Sequence, residues 1–419
     1  MLCALGVLCG GLSSPSAQEP PAPQAVPAAE LQAAIDKLGD LDYATRTNAA
    51  RTVRRTPGAQ AVPALLRAVA KHADGYVRYR ALVLLTGFND PRAKDAMRES
   101  LTSPNDRLRA SAYSFFEHNP DRAMTPVFLA ALDKEQAEFV RPALVRALAA
   151  HGSAAGRVLS DPASPGDTTA QGVGRARSDA ASRGDRTRVE QALVREVGRG
   201  EDFFRSAVIE ALGDYKAQYA FDALTAVAKL DGPLQDDAAL ALGKIGDKRA
   251  LETLAAIQRT APRPTQPSIA TAICLLGVNC ESHENYLVET LKFADKNIGF
   301  QEILRGAAAG LGALAIAGHQ EAAETLFEIG IPSRDPTRSP VTLALGTIAL
   351  RNTPLMLAIL RKHPDRDHAI ELVGEGFDML EEDLDKETFF TIVRRTYWDA
   401  PESSLIRQLM QTLIQKLDF

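Results

Sequence analysis

The chain repeats a segment of its own sequence at an interval of thirty residues. Residues 211–224 read ALGDYKAQYAFDAL and residues 241–254 read ALGKIGDKRALETL, and the two segments align without a gap. A unit of this length holds two short helices and a turn, and one such pair cannot bury its own apolar stripe. Pairs stacked side by side can bury it. The repeat therefore predicts a line of helix pairs in place of a single globular core.

The composition favours helices over strands. The chain has 419 residues, more than one globular core usually covers. Its hydrophobic content is 45%, but aromatic residues make up only 6%, which is too few for a large β-sandwich. Alanine, leucine and arginine are abundant, and all three favour helices. We therefore expect an all-α fold.

An arginine recurs near the start of the second helix of the unit, and an acidic residue precedes it by three or four positions. The acid can cap the helix or favour its positive end. The arginine can then reach an acid or an unpaired carbonyl of the next copy. An alternative is a track for anions or nucleic acid, which the accompanying acids argue against. These ladder arginines are Arg46, Arg78, Arg109, Arg141, Arg205, Arg305 and Arg338.

The pattern resembles the HEAT repeat, most closely the short variety named after the phycobilisome (PBS) lyases. The likeness lies in DKRALETLAAI (247–257), ADGYVRYRALVLLTG (73–87), NDRLRASA (105–112) and ALGKIG (241–246). It covers nearly all of residues 28–417 and implies an α-α superhelix, or HEAT-repeat solenoid. The resemblance is specific for architecture and says little about function.

About eleven helix pairs can be counted, in an N-terminal block (28–152) and a C-terminal block (185–417). The segment 153–184 between the blocks has few large aliphatic residues, which predicts a flexible insertion. A degenerate repeat is the alternative, since Arg175 falls near the ladder position. The last helix should close the stack. The expected copies are 28–57, 58–88, 90–119, 120–152, 185–215, 216–246, 247–279, 280–318, 319–352, 353–380 and 381–417.

The first residues resemble a secretory signal peptide (1–17), followed by a proline-rich linker (18–27). No basic residue precedes the apolar run, which is a departure from the usual pattern. The expectation is a periplasmic or secreted protein without an integral membrane segment in the mature chain. In an oxidising compartment Cys274 and Cys280 could form a disulfide; the alternative is two unpaired thiols.

Charge is unevenly distributed along the chain. The net charge is −5, with five excess basic residues in 1–200 and ten excess acidic residues in 201–419. The acidic excess peaks in EEDLDKE (381–387), which we interpret as a solvated helix start. A strongly basic stripe is absent, which argues against nucleic acid as a partner.

The sequence contains no recognisable catalytic motif, phosphate-binding loop or zinc signature. The segment KHPDRDH contains four side chains that could hold a metal weakly, His363, Asp365, Asp367 and His368. We favour the alternative, a hydrophilic inter-helix loop. Tyr397 and Trp398 could anchor a partner, or pack the terminal cap. We therefore predict no catalytic residues, no bound metal and no cofactor.

The function expected from these features is a non-catalytic scaffold that binds a partner protein or peptide on its concave face. One alternative is a bilin-lyase-like enzyme that handles a chromophore, which the name of the repeat suggests. A HEAT-type DNA-binding protein is a third possibility, disfavoured by a pI of about 5.9.

Overall fold

The computed structural model describes residues 23–153 and 172–419. Within these residues there are 22 α-helices and no β-strand, which confirms the expected all-α class. The helices are α1 (Ala28–Asp36), α2 (Tyr43–Arg55), α3 (Gly58–Lys71), α4 (Gly75–Thr86), α5 (Arg92–Ser100), α6 (Asp106–His118), α7 (Thr125–Leu132), α8 (Arg141–Gly152), α9 (Gly172–Val197), α10 (Asp202–Asp214), α11 (Phe221–Ala228), α12 (Gln235–Ile245), α13 (Ala250–Gln258), α14 (Gln266–Leu275), α15 (Cys280–Lys296), α16 (Gln301–Ile316), α17 (Gln320–Gly330), α18 (Arg338–Arg351), α19 (Thr353–Lys362), α20 (Arg366–Met379), α21 (Asp383–Asp399) and α22 (Leu405–Lys416).

The helices form eleven consecutive pairs, in agreement with the repeats expected from the sequence. Successive second helices, α4 to α20, pack against one another along the stack and form a continuous inner layer. First helices make fewer contacts with each other and form the outer layer. Each repeat therefore buries its apolar stripe against its neighbours, as a solenoid requires.

Small residues allow the second helices to approach closely. A Cβ on Gly243 of α12 would lie 2.4 Å from the Cα of Ala272 on α14, and a Cβ on Gly213 would lie 2.8 Å from the Cα of Ala241. Gly213 lies inside α10, where its role is this close approach and not a helix cap. Gly246, with φ of +81°, caps α12 in the left-handed conformation.

The acids before the ladder arginines cap their helices in only some repeats. Asp42 accepts a hydrogen bond from the backbone N–H of Thr45, and Asp74 accepts one from Tyr76. In the third repeat Asn105 caps α6, and Asp106 lies inside the helix. The capping side chain therefore satisfies one free backbone N–H at the starts of α2 and α4 and two at the start of α6.

Three predicted segments fall partly or wholly outside the described residues. The signal peptide (1–17) and most of the linker (18–27) lie there, as do residues 154–171 of the predicted insertion. Helix α9 begins at Gly172 and continues to Val197, so the C-terminal part of segment 153–184 is helical. Helix α9 packs on α8 and α10 and is the first helix of the fifth repeat.

The last repeat differs from the others in orientation. Helix α22 packs on α19 and α20 and ends the stack, as its amphipathic sequence predicts. Helix α21 packs against α4 and α6, which belong to the second and third repeats. The two ends of the solenoid therefore meet, and the superhelix closes into a ring.

No single helix within the described ranges is long and apolar enough to cross a membrane. Helices α18 and α19 satisfy length and composition only as a pair, and their axes bend by 116°.

Candidate functional site

The closure of the ring is built on a buried ion pair between the first and last repeats. Arg54 of α2 lies with its Nη2 2.7 Å from Oε2 of Glu387 on α21, and both side chains are buried. Arg394 of α21 contacts the other oxygen of Glu387 at 3.4 Å and donates to the backbone carbonyl of Arg54. Gly87 permits this approach, since a Cβ there would lie 2.5 Å from Oε1 of Glu387.

A second closure contact joins α4 to the start of α21. Asp383 accepts hydrogen bonds from the Tyr79 hydroxyl and from Nη1 of Arg80, the latter at 2.6 Å. Burial raises the pKa of Asp383, but Arg80, Lys386 and Tyr79 together hold it well below its ordinary range. The carboxylate is therefore ionised and paired at neutral pH.

The third closure contact is a histidine–carboxylate pair. Nε2 of His118 at the end of α6 lies 2.9 Å from Oδ1 of Asp385, and Arg351 lies 3.4 Å from Oδ2. Burial lowers the pKa of His118, but the hydrogen bond to Asp385 outweighs it, and the pKa lies above its ordinary value. Burial raises the pKa of Asp385, yet His118 and Arg351 bring it below the ordinary value.

These contacts show that the interpretation of residues 381–387 as a solvated helix start is wrong. The side chains of Asp383 and Asp385 are only 19% and 14% exposed, and that of Glu387 is 1% exposed. Periodicity cannot reveal this arrangement, because the basic partners lie about 300 residues earlier in the chain.

A half-open cavity of about 1260 Å³, here called the central cavity, is lined mainly by residues of the second helices from α6 to α20. Arg146 on its wall pairs with Glu117 at 2.9 Å and with Asp214 at 3.0 Å. Lys244 also pairs with Asp214, at 2.7 Å, so the charges on this wall are balanced. Leu343, which is 38% exposed, adds an apolar patch to the lining. The cavity is suited to a polar peptide or small molecule with some apolar surface.

The ladder arginines mainly stabilise their own repeat. Arg78 donates from Nε to the carbonyl of Val69 at the end of α3, and Arg205 donates to Val197 at the end of α9. Arg46 donates to the carbonyls of Asp40 and Leu41 before its own helix. These three arginines donate within their own copy, and not to the next copy as expected. Their acceptors are free carbonyl groups at the end of the first helix or in the segment that leads to the second helix.

Other ladder arginines do reach the next copy. Arg109 donates a bidentate hydrogen bond to the carboxylate of Glu135, and Arg338 donates one to that of Glu375. Arg141 lies 3.7 Å from Glu196 and its guanidinium lies 3.6 Å from the ring centre of Phe204. Arg305 lines the central cavity.

Sequence reasoning missed other side chains that take the same role. In two repeats a glutamine replaces arginine: Gln235 donates to the carbonyl of Ala228, and Gln266 donates to those of Gln258 and Ala261. Arg366 does the same for Leu360 in the tenth repeat, which the sequence pattern had left without such a residue. The sequence feature that could have identified these donors is a long amide or guanidinium side chain within the first turn of the second helix.

Cys274 and Cys280 form a disulfide across the turn between α14 and α15. The structure also brings His319 of the ninth repeat close to this pair, with Nδ1 3.8 Å from Sγ of Cys280. These three side chains are the group of potential metal ligands that converges within the described part of the chain. Both sulfur atoms are engaged in the disulfide.

The remaining side chains noted from sequence have local contacts. His368 lies 2.8 Å from Asp365, and the ring of His363 packs on Phe327. Tyr397 is fully buried, whereas Trp398 is 43% exposed, and the two rings meet edge to face. The Arg407 guanidinium lies against both rings, so this pair packs the terminal repeat.

Comparisons with known proteins match the repeat architecture. A family model described as HEAT repeats matches residues 31–116, and one described as PBS lyase HEAT-like repeat matches residues 234–259. No curated protein matches the chain.

Similar solved structures include YibA of Escherichia coli, with 16% identity, a TM-score of 0.38, and coverage of 60% of this chain and 82% of that one. Human deoxyhypusine hydroxylase in complex with glycerol has 18% identity and a TM-score of 0.26, covering 60% and 96%. Yeast importin-β (Kap95p) has 12% identity and a TM-score of 0.37 over 92% of this chain, which spans 56% of its length.

Proposed function

We propose that this chain, a HEAT-repeat protein, is a non-catalytic scaffold that binds a partner protein or peptide on its concave face. The supporting observation is that three second helices, α2, α4 and α6, already hold another helix, α21, through Arg54, Arg80 and His118. A surface that recognises an internal helix by matched charge and shape has the properties of a peptide-binding groove.

We also propose that the protein works in an oxidising compartment, periplasmic or extracellular. The disulfide between Cys274 and Cys280 supports this proposal, since such bonds persist in exported proteins. The resemblance of residues 1–17 to a signal peptide supports it as well.

The central cavity favours a second candidate, a protein that handles a chromophore as bilin lyases do. Its volume of about 1260 Å³ is large enough for a linear tetrapyrrole. Purified protein mixed with a bilin should then become coloured, and covalently so if the protein is a lyase. Lack of colour would favour the scaffold. Salt-sensitive binding to duplex DNA would instead support the DNA-binding alternative.

Site-specific photo-crosslinking in the native host tests the binding face. A crosslinking residue at Leu343, on the cavity wall, should capture a discrete partner, whereas one at the exposed Glu252 of outer helix α13 should not. Capture from Glu252 alone would place the partner on the outer surface and contradict the proposal.

A further inference from the structure

The inner surface of the first three repeats has the features of a receptor for an acidic helix. Arg54 of α2, Arg80 of α4 and His118 of α6 present hydrogen-bond donors on three successive second helices. Each donor meets one carboxylate of the segment 383–387. Positive groups from three repeats thus converge on about one and a half turns of α21.

Helix α21 meets this surface with a defined stripe. Asp383 and Glu387 are four residues apart and therefore lie on one face of the helix, followed on that face by Phe390 and Arg394. The guanidinium of Arg54 lies 5.1 Å from the ring centre of Phe390, and Leu384 joins the hydrophobic core of the N-terminal repeats. The contact combines paired charges with a small apolar anchor.

The opposite face of α21 is attached to its own end of the chain. Phe389, Val393 and Tyr397 are buried in the hydrophobic core of the C-terminal repeats. Separation of the charged face from repeats one to three would leave this apolar face in place. Buried ion pairs also add less net stability than apolar packing of the same size. The contact between α21 and repeats one to three is therefore the part of the ring that can open without unfolding a repeat.

We infer that the inner surface of repeats one to three binds acidic helices, and that α21 occupies it until a partner helix with carboxylates at i and i+4 displaces it. This inference rests on the proposed scaffold function, and it identifies the chemistry of the partner. The closed ring is then the self-occupied state, and the opened ring is the partner-bound state.

The test uses the full chain and a fluorescent peptide of residues 381–399 as the probe. Substitution of Asp383→Asn with Glu387→Gln in the chain removes the internal competitor and leaves Arg54, Arg80 and His118 intact. Because the closed state lowers the competent fraction, we expect this variant to bind the peptide about tenfold more tightly than the wild type. Glu381→Gln, at an exposed position beside the contact, is the matched control and should bind like the wild type.

Two further measurements make the result specific. A peptide with the same two carboxylates neutralised should bind neither chain, and Arg54→Gln with Arg80→Gln should abolish peptide binding by the opened chain. Should the variants fail to fold, the wild type with excess peptide gives the same information by small-angle scattering, since displacement of α21 must increase the radius of gyration.

The inference would be overturned if the variant Asp383→Asn with Glu387→Gln does not bind the peptide. It would also be overturned if excess peptide leaves the radius of gyration of the wild type unchanged. A native partner captured from Leu343 while the peptide fails to bind would leave the scaffold function standing and reject only the acidic-helix chemistry. Absence of capture from Leu343 together with peptide binding would reject the scaffold function and retain the receptor surface.

Discussion

The guanidinium of Arg54 and the carboxylate of Glu387 lie 2.7 Å apart although 333 residues separate them in the chain. The pair is almost completely withdrawn from solvent and joins the first repeat to the last.

Removal of one partner of this ion pair should lower the free energy of unfolding substantially. We expect Glu387→Ala to destabilise the closed form of the chain by about 3–5 kcal/mol, because in that form it leaves Arg54 buried without its counter-ion. Urea denaturation measures the loss. Glu381→Ala, at an exposed position, should change stability by less than about 0.5 kcal/mol. Equal effects of the two substitutions would contradict the closed ring.

The pair of His118 and Asp385 predicts a pH dependence of the closure. The pKa of His118 is raised in the folded chain, so its contribution is complete below about pH 6.5 and is lost as the pH rises through the raised value. The pKa of Asp385 is lowered, so its contribution is lost as the pH falls below about 4.

The closure should therefore be strongest between about pH 4 and pH 6.5. The difference in melting temperature between the wild type and His118→Gln should shrink from pH 6 to pH 9. A difference that stays constant over that range would show that His118 does not pair as a cation.

Close packing of second helices predicts that Gly243 tolerates no side chain. We expect Gly243→Ala to cost about 1–3 kcal/mol, since the added methyl group would overlap the backbone of Ala272. Gly232→Ala is the matched control, because no atom lies within 4 Å of a Cβ built there. The melting temperatures of both variants test this prediction. If Gly243→Ala melts at the wild-type temperature, the close contact with Ala272 is refuted.

The bond from Arg205 to the end of α9 predicts rescue by glutamine. Arg205→Ala should cost about 1 kcal/mol, because the carbonyl of Val197 loses its donor. Arg205→Gln should retain most of that stability, since Gln235 makes the corresponding bond in the next repeat. If glutamine and alanine prove equally destabilising, the arginine acts through its charge and not through this hydrogen bond.

Coupling between adjacent repeats can be tested at Leu242, which is fully buried. We expect Leu242→Asp to uncouple its neighbours, because an unpaired charge in this core is strongly unfavourable. A broadened, multi-step melting curve would report it. Leu230→Asp, at a position that is 63% exposed, should leave the curve unchanged.

The local features of the site were the part that sequence could predict. The eleven helix pairs, and the arginines near the start of many second helices, follow from residues less than one repeat apart. The donors Gln235, Gln266 and Arg366 were missed. The sequence predicted less well which acceptor each of these arginines would bind. Arg78 and Arg109 occupy the same repeat position, yet the first contacts Val69 in its own copy and the second also reaches Glu135 in the next.

The sequence by itself determined that the chain is a line of helix pairs, since apolar spacing within each thirty-residue unit already specifies which faces must be covered. The tertiary structure alone decided that the line closes, with Asp383 and Glu387 buried against Arg80 and Arg54. The physical reason is that a small rotation per repeat accumulates over eleven units. That rotation is set by packing details such as the contact of Gly243 with Ala272, and periodicity records none of them.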